Sequence, residues 1–157
     1  MGAFCLFALA LILLVAISGC GSSGEPAVER APRLSKAELL KKGAAICDHG
    51  NSVISTAFNR LAKVDAAAGR VATQHELDER AARVVLPVRK AELRRLRALG
   101  MPAEGTRQFQ TMLAAMEEGV EKGEQDHSLL LAKKAIYAFK EASEVGIRFG
   151  LTSCWLQ

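Results

Sequence analysis

The sequence predicts an all-α fold, an antiparallel up-down-up-down four-helix bundle with a kinked second helix, cross-linked by one disulfide. From residue 34 onward the chain is rich in Ala, Leu, Glu, Lys and Arg, which favour helix, and aromatic residues make up only 5% of its 157 residues. Apolar residues recur at helical spacing in four segments that Gly and Pro residues separate. Four amphipathic helices with short connections favour antiparallel neighbours.

The first predicted helix begins at Ser35, where Glu38 three residues later completes a capping box. Its apolar positions follow steps of three, four and seven residues, which places them on one helical face. Gly69 marks its expected end. The apolar positions are Leu39, Leu40, Cys47, Ile54, Ala57, Phe58 and Leu61.

The second predicted helix begins at Thr73, again with a glutamate, Glu76, at the capping-box position. Pro87 falls inside it, and because proline lacks a backbone N–H and clashes with the preceding turn, we expect a kink or a split there. Gly100 and Pro102 mark the turn that follows. The apolar face consists of Leu77, Ala81, Val84, Val88, Leu96 and Leu99.

The third and fourth predicted helices complete the bundle and end near Gly123 and Gly150. The third uses Phe109, Met112, Leu113, Met116 and Val120. The fourth uses Leu129, Ala132, Ile136, Phe139, Ser143 and Ile147.

Residues 3 to 17 are almost wholly apolar. A transmembrane helix needs about 20 apolar residues, so this run is short for a span and typical of a signal peptide. The small residues Ser18 and Gly19 precede Cys20, and the tetrapeptide Ile17-Ser18-Gly19-Cys20 resembles the bacterial lipoprotein box. That resemblance implies cleavage before Cys20 and a diacylglycerol on its thiol.

The start of the leader departs from the usual signal pattern, since residues 1 to 4 contain no Lys or Arg. An uncleaved membrane anchor ending near Gly24 is the alternative. We expect a signal peptide over residues 1–19, the lipidated cysteine and a flexible tether over 20–33, and a helical bundle domain over 34–157. This organisation predicts an exported protein, lipid-anchored to the outer face of the cytoplasmic membrane, the cell envelope.

The leader holds Cys5 and the anchor uses Cys20, so Cys47 and Cys154 remain of the four cysteines. Cys47 lies on the apolar face of the first helix, and Cys154 lies just beyond the fourth. In an up-down-up-down bundle the start of the first helix and the end of the fourth lie at the same end of the domain. Export would provide the oxidising conditions that a disulfide needs. We therefore predict a disulfide between Cys47 and Cys154, with two buried free thiols as the alternative.

Three stretches resemble small exported lipoproteins of high-GC, actinobacterial-type bacteria, which carry an LSKAEF…ADAIC opening after a lipobox and a C-terminal cysteine. The stretches are 34–38 together with 44–48, then 96–103, and finally 150–154, and the resemblance covers most of residues 34 to 154. The two-cysteine frame is its specific part. The family has no assigned activity, so the resemblance implies an architecture and a cysteine pairing but no catalytic residues.

The residues offer little catalytic chemistry. There is no Gly-x-Ser-x-Gly elbow, no phosphate-binding glycine loop, no Cys-x-x-Cys and no haem motif. We therefore expect no enzyme and no cofactor, and instead a non-enzymatic module that binds a partner or ligand through its surface or a bundle groove.

A metal-handling bundle is the alternative function. Glu124 and His127 have the Glu-x-x-His spacing of di-iron bundles, and His75 is expected at the same end. Helical-wheel angles place these histidines away from the core, so a buried metal site is not expected.

A basic run on the second helix is a possible interaction face. It consists of Arg89, Lys90, Arg94, Arg95 and Arg97. It would suit anionic lipid head groups, an acidic envelope protein or an envelope polymer. The alternative is a solvated face, partly paired with Glu92, Asp78 and Glu79. Nucleic acid is not an expected partner, because no interleaved aromatic residues would stack on bases.

Overall fold

The computed structural model describes residues 33–131 and 137–155, which belong to one compact unit, Pro32–Gln157. Within them four helices and no strand occur, so the all-α class is confirmed. The helices are α1 (Lys36–Ala67), α2 (Gln74–Ala98), α3 (Thr106–Gln125) and α4 (Lys140–Phe149). Two short 3-10 segments, the linker turn (His127–Leu130) and the C-terminal turn (Thr152–Cys154), complete the fold. The predicted leader, Cys20 and the tether up to residue 32 lie outside the described residues.

Both predicted capping boxes are confirmed. The Ser35 side chain accepts a hydrogen bond from the Glu38 backbone N–H, and the Glu38 carboxylate accepts one from the Ser35 N–H. Thr73 and Glu76 make the same reciprocal pair at the start of α2. These bonds satisfy backbone donors that have no partner inside the helix, which explains where the two helices begin.

The buried face of α2 is displaced from the predicted face. Helix α2 continues through the exposed Pro87, and Val84 and Val88 are only half-buried. The face that was predicted as the core stripe is therefore partly wrong, because α2 packs against α1, α3 and the linker turn at once and buries a broader side. The buried residues are Ala81, Ala82, Val85, Leu86, Arg89, Glu92, Leu93 and Leu96.

The fourth helix is shorter than its apolar period predicted. Leu129 lies in the linker turn, α4 begins only at Lys140, and Ile147 is 52% exposed rather than part of the core. Glycines on α3 explain the packing here, since a Cβ on Gly119 would lie 2.5 Å from the Phe139 ring and one on Gly123 2.4 Å from Leu130. Both side chains therefore sit directly on the α3 backbone. Ala132 and Ile136 lie outside the described residues.

The start of α1, the loop after α2, the start of α3 and the end of α4 meet at one end of the domain. The Ala103 N–H donates to the Leu34 carbonyl over 2.9 Å. The rings of Phe109 and Phe149 stack with centroids 5.5 Å apart, and Leu40 packs near Gly150. We call this the tether end, because the predicted tether precedes Arg33.

The disulfide between Cys47 and Cys154 is confirmed. It links α1 to the C-terminal turn across 107 positions of sequence, with Cα atoms 4.5 Å apart, and both residues are fully buried. The Asn51 side chain adds a second link, since its amide donates to the Ser153 carbonyl over 2.6 Å. The two ends of the folded chain are thereby held together.

Candidate functional site: a groove between α1 and α2

The basic run predicted as an interaction face does not form one surface, because Arg89 is fully buried. Including Arg89 in an exposed face was therefore wrong. Its guanidinium donates to the Glu92 carboxylate over 2.7 Å and to the Asn51 side-chain oxygen over 3.2 Å. The buried charge is thus paired within the core, as a charge removed from water requires.

Glu92 is equally buried, at 2% exposure, and its second carboxylate oxygen, Oε1, accepts no hydrogen bond among the described residues. That oxygen lies 1.8 Å from the position that a Cβ on Gly50 would occupy, so the carboxyl group packs against the α1 backbone. Burial raises the pKa of Glu92, and the neighbouring Arg89 charge partly opposes the rise. The carboxyl group lies against the α1 backbone and beside a hollow of about 250 Å³ that Gly50 and Glu92 both line. Because its other oxygen pairs with the buried Arg89, we assign this pair to structure.

The remaining basic residues of the run are exposed or half-exposed but differ in their partners. Lys90 pairs with Glu124, and Arg97 pairs with Glu117 over 2.5 Å. Arg94 and Arg95 are exposed and form no ion pair with the described residues.

The three residues of the metal-handling alternative line one shallow hollow of about 290 Å³. His75 is exposed, and His127 is half-buried with its Nδ1 2.7 Å from Glu79 Oε1. Hydrogen bonding to His127 lowers the pKa of Glu79. Glu124 is engaged by Lys90, and no group of three His, Cys, Asp or Glu side chains within residues 33–131 and 137–155 is placed to hold a metal ion. The hollow therefore does not supply the ligands of a metal centre from these residues.

A larger groove of about 490 Å³ lies between the last turns of α1 and the first turns of α2. We call it the distal groove. Its walls are mainly apolar, and Phe58, Leu61 and Leu77 are only half-buried although the sequence placed them in the core. The loop between the helices contributes Val71, which is 94% exposed.

Charged side chains line the loop end of the distal groove. Arg80 forms a bidentate pair with Asp65, with its second contact at 3.1 Å, and Arg70 lies 2.9 Å from the same carboxylate. The Arg70 guanidinium also donates to Glu76 over 2.8 Å. Hydrogen bonding to Arg80 lowers the pKa of Asp65, and hydrogen bonds from Arg70 and Thr73 lower that of Glu76 to about 2. Both carboxylates are thus charged at neutral pH, and Arg70 remains 45% exposed at the rim.

Sequence reasoning missed the distal groove because an apolar helical face predicts burial without saying what covers it. Phe58, Leu61 and Leu77 have the right spacing for a core, but no other described helix covers the α1–α2 pair there. The one local signal was the exposed valine of the loop sequence Arg70-Val71-Ala72. An apolar residue between two helix ends is a weak indication of an adjoining apolar surface.

Among the described helices, none combines the length and the apolar character that a membrane crossing requires. Comparisons of the chain with protein-family models, with curated proteins and with solved structures found no match. The resemblance to actinobacterial-type lipoproteins therefore stays a prediction.

Proposed function

We propose that the protein is an exported lipoprotein, anchored through Cys20 to the outer face of the cytoplasmic membrane, and that its domain is a non-enzymatic binding module. The apolar leader and the lipobox-like tetrapeptide support the anchor. The buried Cys47–Cys154 disulfide supports export, because such bonds persist in oxidising compartments and are rare in the cytosol.

We include in the proposal an up-down-up-down arrangement of the helices. Contacts between neighbouring helices support it. Asp65 near the end of α1 pairs with Arg80 near the start of α2, and Lys90 of α2 pairs with Glu124 near the end of α3. Phe109 of α3 stacks on Phe149 of α4. The first and third contacts join the late turns of one helix to the early turns of its neighbour. Helices α2 and α3 run in opposite directions, because Arg97, later in α2 than Lys90, pairs with Glu117, earlier in α3 than Glu124.

The observation that carries the binding role is the distal groove. Its volume of about 490 Å³ lies within the roughly 300–1,000 Å³ of small-molecule sites. Such sites combine mainly apolar walls with a few polar groups that orient the ligand. Phe58, Leu61 and Leu77 supply the walls and Arg70 the rim. The groove suits an apolar or amphipathic ligand whose polar group meets the charged rim at Arg70.

Binding of the fluorescent probe 1-anilinonaphthalene-8-sulfonate tests this role, since it joins an apolar ring system to a sulfonate. We expect Phe58→Glu to weaken binding at least tenfold, because it places a carboxylate in the apolar wall. Val64→Glu is the matched control, since Val64 is on the same helix, is 59% exposed and does not line the groove. Equal binding by both variants would reject the groove as the site.

Export and lipidation have a separate test. Cells grown with labelled palmitate should incorporate the label into the protein and hold it in the membrane fraction. Cys20→Ala should abolish both, whereas Cys5→Ala should leave them unchanged because Cys5 lies in the predicted leader. Label retained in the Cys20→Ala variant would contradict the proposed anchor.

A further inference from the structure

Positive charge is concentrated at the tether end of the domain. Three segments converge there, namely residues 33–42, 93–110 and 143–150. Together they contain nine basic and three acidic residues, a net charge of +6. The basic residues are Arg33, Lys36, Lys41, Lys42, Arg94, Arg95, Arg97, Arg107 and Arg148.

The rest of the described domain has the opposite balance. It contains nine basic and twelve acidic residues, a net charge of −3. The small positive charge of the whole chain, +4, therefore conceals a strong asymmetry between the tether end and the remainder.

The basic residues of the tether end are also largely uncompensated. Of the nine, only Arg97 forms an ion pair with the described residues, to Glu117, whereas six of the nine basic residues elsewhere do so. Seven of the eight others are exposed. Lys36 is half-buried, with its Nζ 5.0 Å from the centre of the Phe149 ring. A surface of this kind is available for an external anion.

We propose that the tether end lies on the anionic head groups of the membrane and holds the domain upright on its surface. The proposal rests on the proposed lipid anchor for its setting. Cys20 precedes Arg33 by only 13 residues, and a flexible segment of that length spans roughly 20 Å on average. The anchor thus keeps the tether end close to the anionic head groups of the membrane.

Distance explains why the tether is needed and what the contact achieves. Head-group charges are screened within about 8 Å at physiological salt, so the basic residues act only when held near the surface. Phe58 of the distal groove lies 22 residues after Lys36, or about 33 Å along α1. With the tether end on the membrane, the distal groove is presented well away from it.

Sedimentation with vesicles tests the contact without the anchor. The chain from residue 20 with Cys20→Ser keeps the whole compact unit and lacks the thiol to be acylated. We expect it to bind phosphatidylglycerol vesicles but not phosphatidylcholine vesicles, and to be released by 0.5 M salt, a concentration roughly three times physiological. Each basic residue near such a surface contributes about fivefold to the partition coefficient. The double change Arg94→Glu and Arg95→Glu should therefore reduce binding at least tenfold.

Arg60→Glu with Lys63→Glu is the matched control. Both residues are exposed on a helix, form no ion pair with the described residues and lie outside the tether end. This variant has the same net charge as the first and should bind within about twofold of the parent chain. An equal loss in both variants, full binding by the Arg94/Arg95 variant, or no preference for anionic vesicles would overturn the proposal. Since these proteins carry no lipid, a failure of lipidation in cells leaves the result intact.

Discussion

The tether end and the distal end of the domain use their side chains in opposite ways. At the tether end, parts of all four helices meet, Leu39, Phe109 and Phe149 are fully buried, and most basic residues are exposed without ion-pair partners among the described residues. At the distal end, α1 and α2 enclose a groove, and arginines are held by Asp65 and Glu76. The contrast indicates that apolar packing stabilises the tether end, while ion pairs organise the distal end.

Removing the disulfide should have the largest effect on stability. In the chain-entropy account, closing a loop of 107 residues contributes about 4.7 kcal/mol, less any strain. We expect the double variant Cys47→Ser and Cys154→Ser to lose roughly 2–5 kcal/mol of unfolding free energy, measured by urea denaturation. Reduction of the parent protein should produce a similar loss. An unchanged denaturation midpoint would show that packing alone holds the C-terminal turn against α1.

The buried pair of Arg89 and Glu92 should give an effect of comparable size. Arg89→Leu leaves the Glu92 carboxyl buried without its cation, which should cost about 3–5 kcal/mol. Changing both residues to Leu should recover most of that loss, because no unpaired charge then remains. A double-mutant cycle by urea denaturation measures the coupling. Additive losses would mean that the two residues contribute independently.

The capping boxes show which features the sequence could predict. Ser35 and Thr73 act on residues three positions away, so their local pattern was sufficient. The burial of Arg89 could not be predicted in this way, because its partner Asn51 lies 38 residues away and arginines are usually exposed. The packing before α4 was equally unpredictable, because Phe139 and Leu130 lie on Gly119 and Gly123 of another helix, which the apolar period of the fourth segment does not contain.

The candidate site was less predictable than the fold for a related reason. Helical periodicity identifies an apolar face, but Phe58 and Cys47 belong to the same face of α1 and have different fates. Cys47 is covered by the C-terminal turn, whereas Phe58 lies in the distal groove. What covers each turn of a helix depends on contacts distant in sequence, so the groove emerges only from the three-dimensional arrangement.

A matched pair of core truncations on α2 sharpens the comparison between the ends. Leu96 is fully buried near the tether end, and Leu77 is half-buried in the distal groove. Leu96→Ala should lower the free energy of unfolding by about 2–5 kcal/mol, because it removes buried apolar surface and leaves a cavity. Leu77→Ala should cost about 1 kcal/mol, because that side chain already contacts solvent. Equal losses by urea denaturation would mean that the distal end is packed as tightly as the tether end.

The smallest effect concerns the pH dependence of the two capping glutamates, which occupy the same position in α1 and α2. Hydrogen bonds to Ser35 lower the pKa of Glu38, whereas Glu76 is held by Arg70 as well as by its cap, and its pKa falls to about 2. A carboxylate with a lowered pKa in the folded state stabilises the fold above its ordinary value of 4.5. That contribution is lost as the pH falls toward the folded value, because protonation breaks the ion pair.

The Glu76→Gln variant should therefore differ most from the parent protein at neutral pH, and the difference should fade toward pH 2. The same change at Glu38 should give a weaker pH dependence, since no arginine holds that carboxylate. Unfolding free energies of both variants at several pH values test this, and identical profiles would contradict the view that ion pairs organise the distal end.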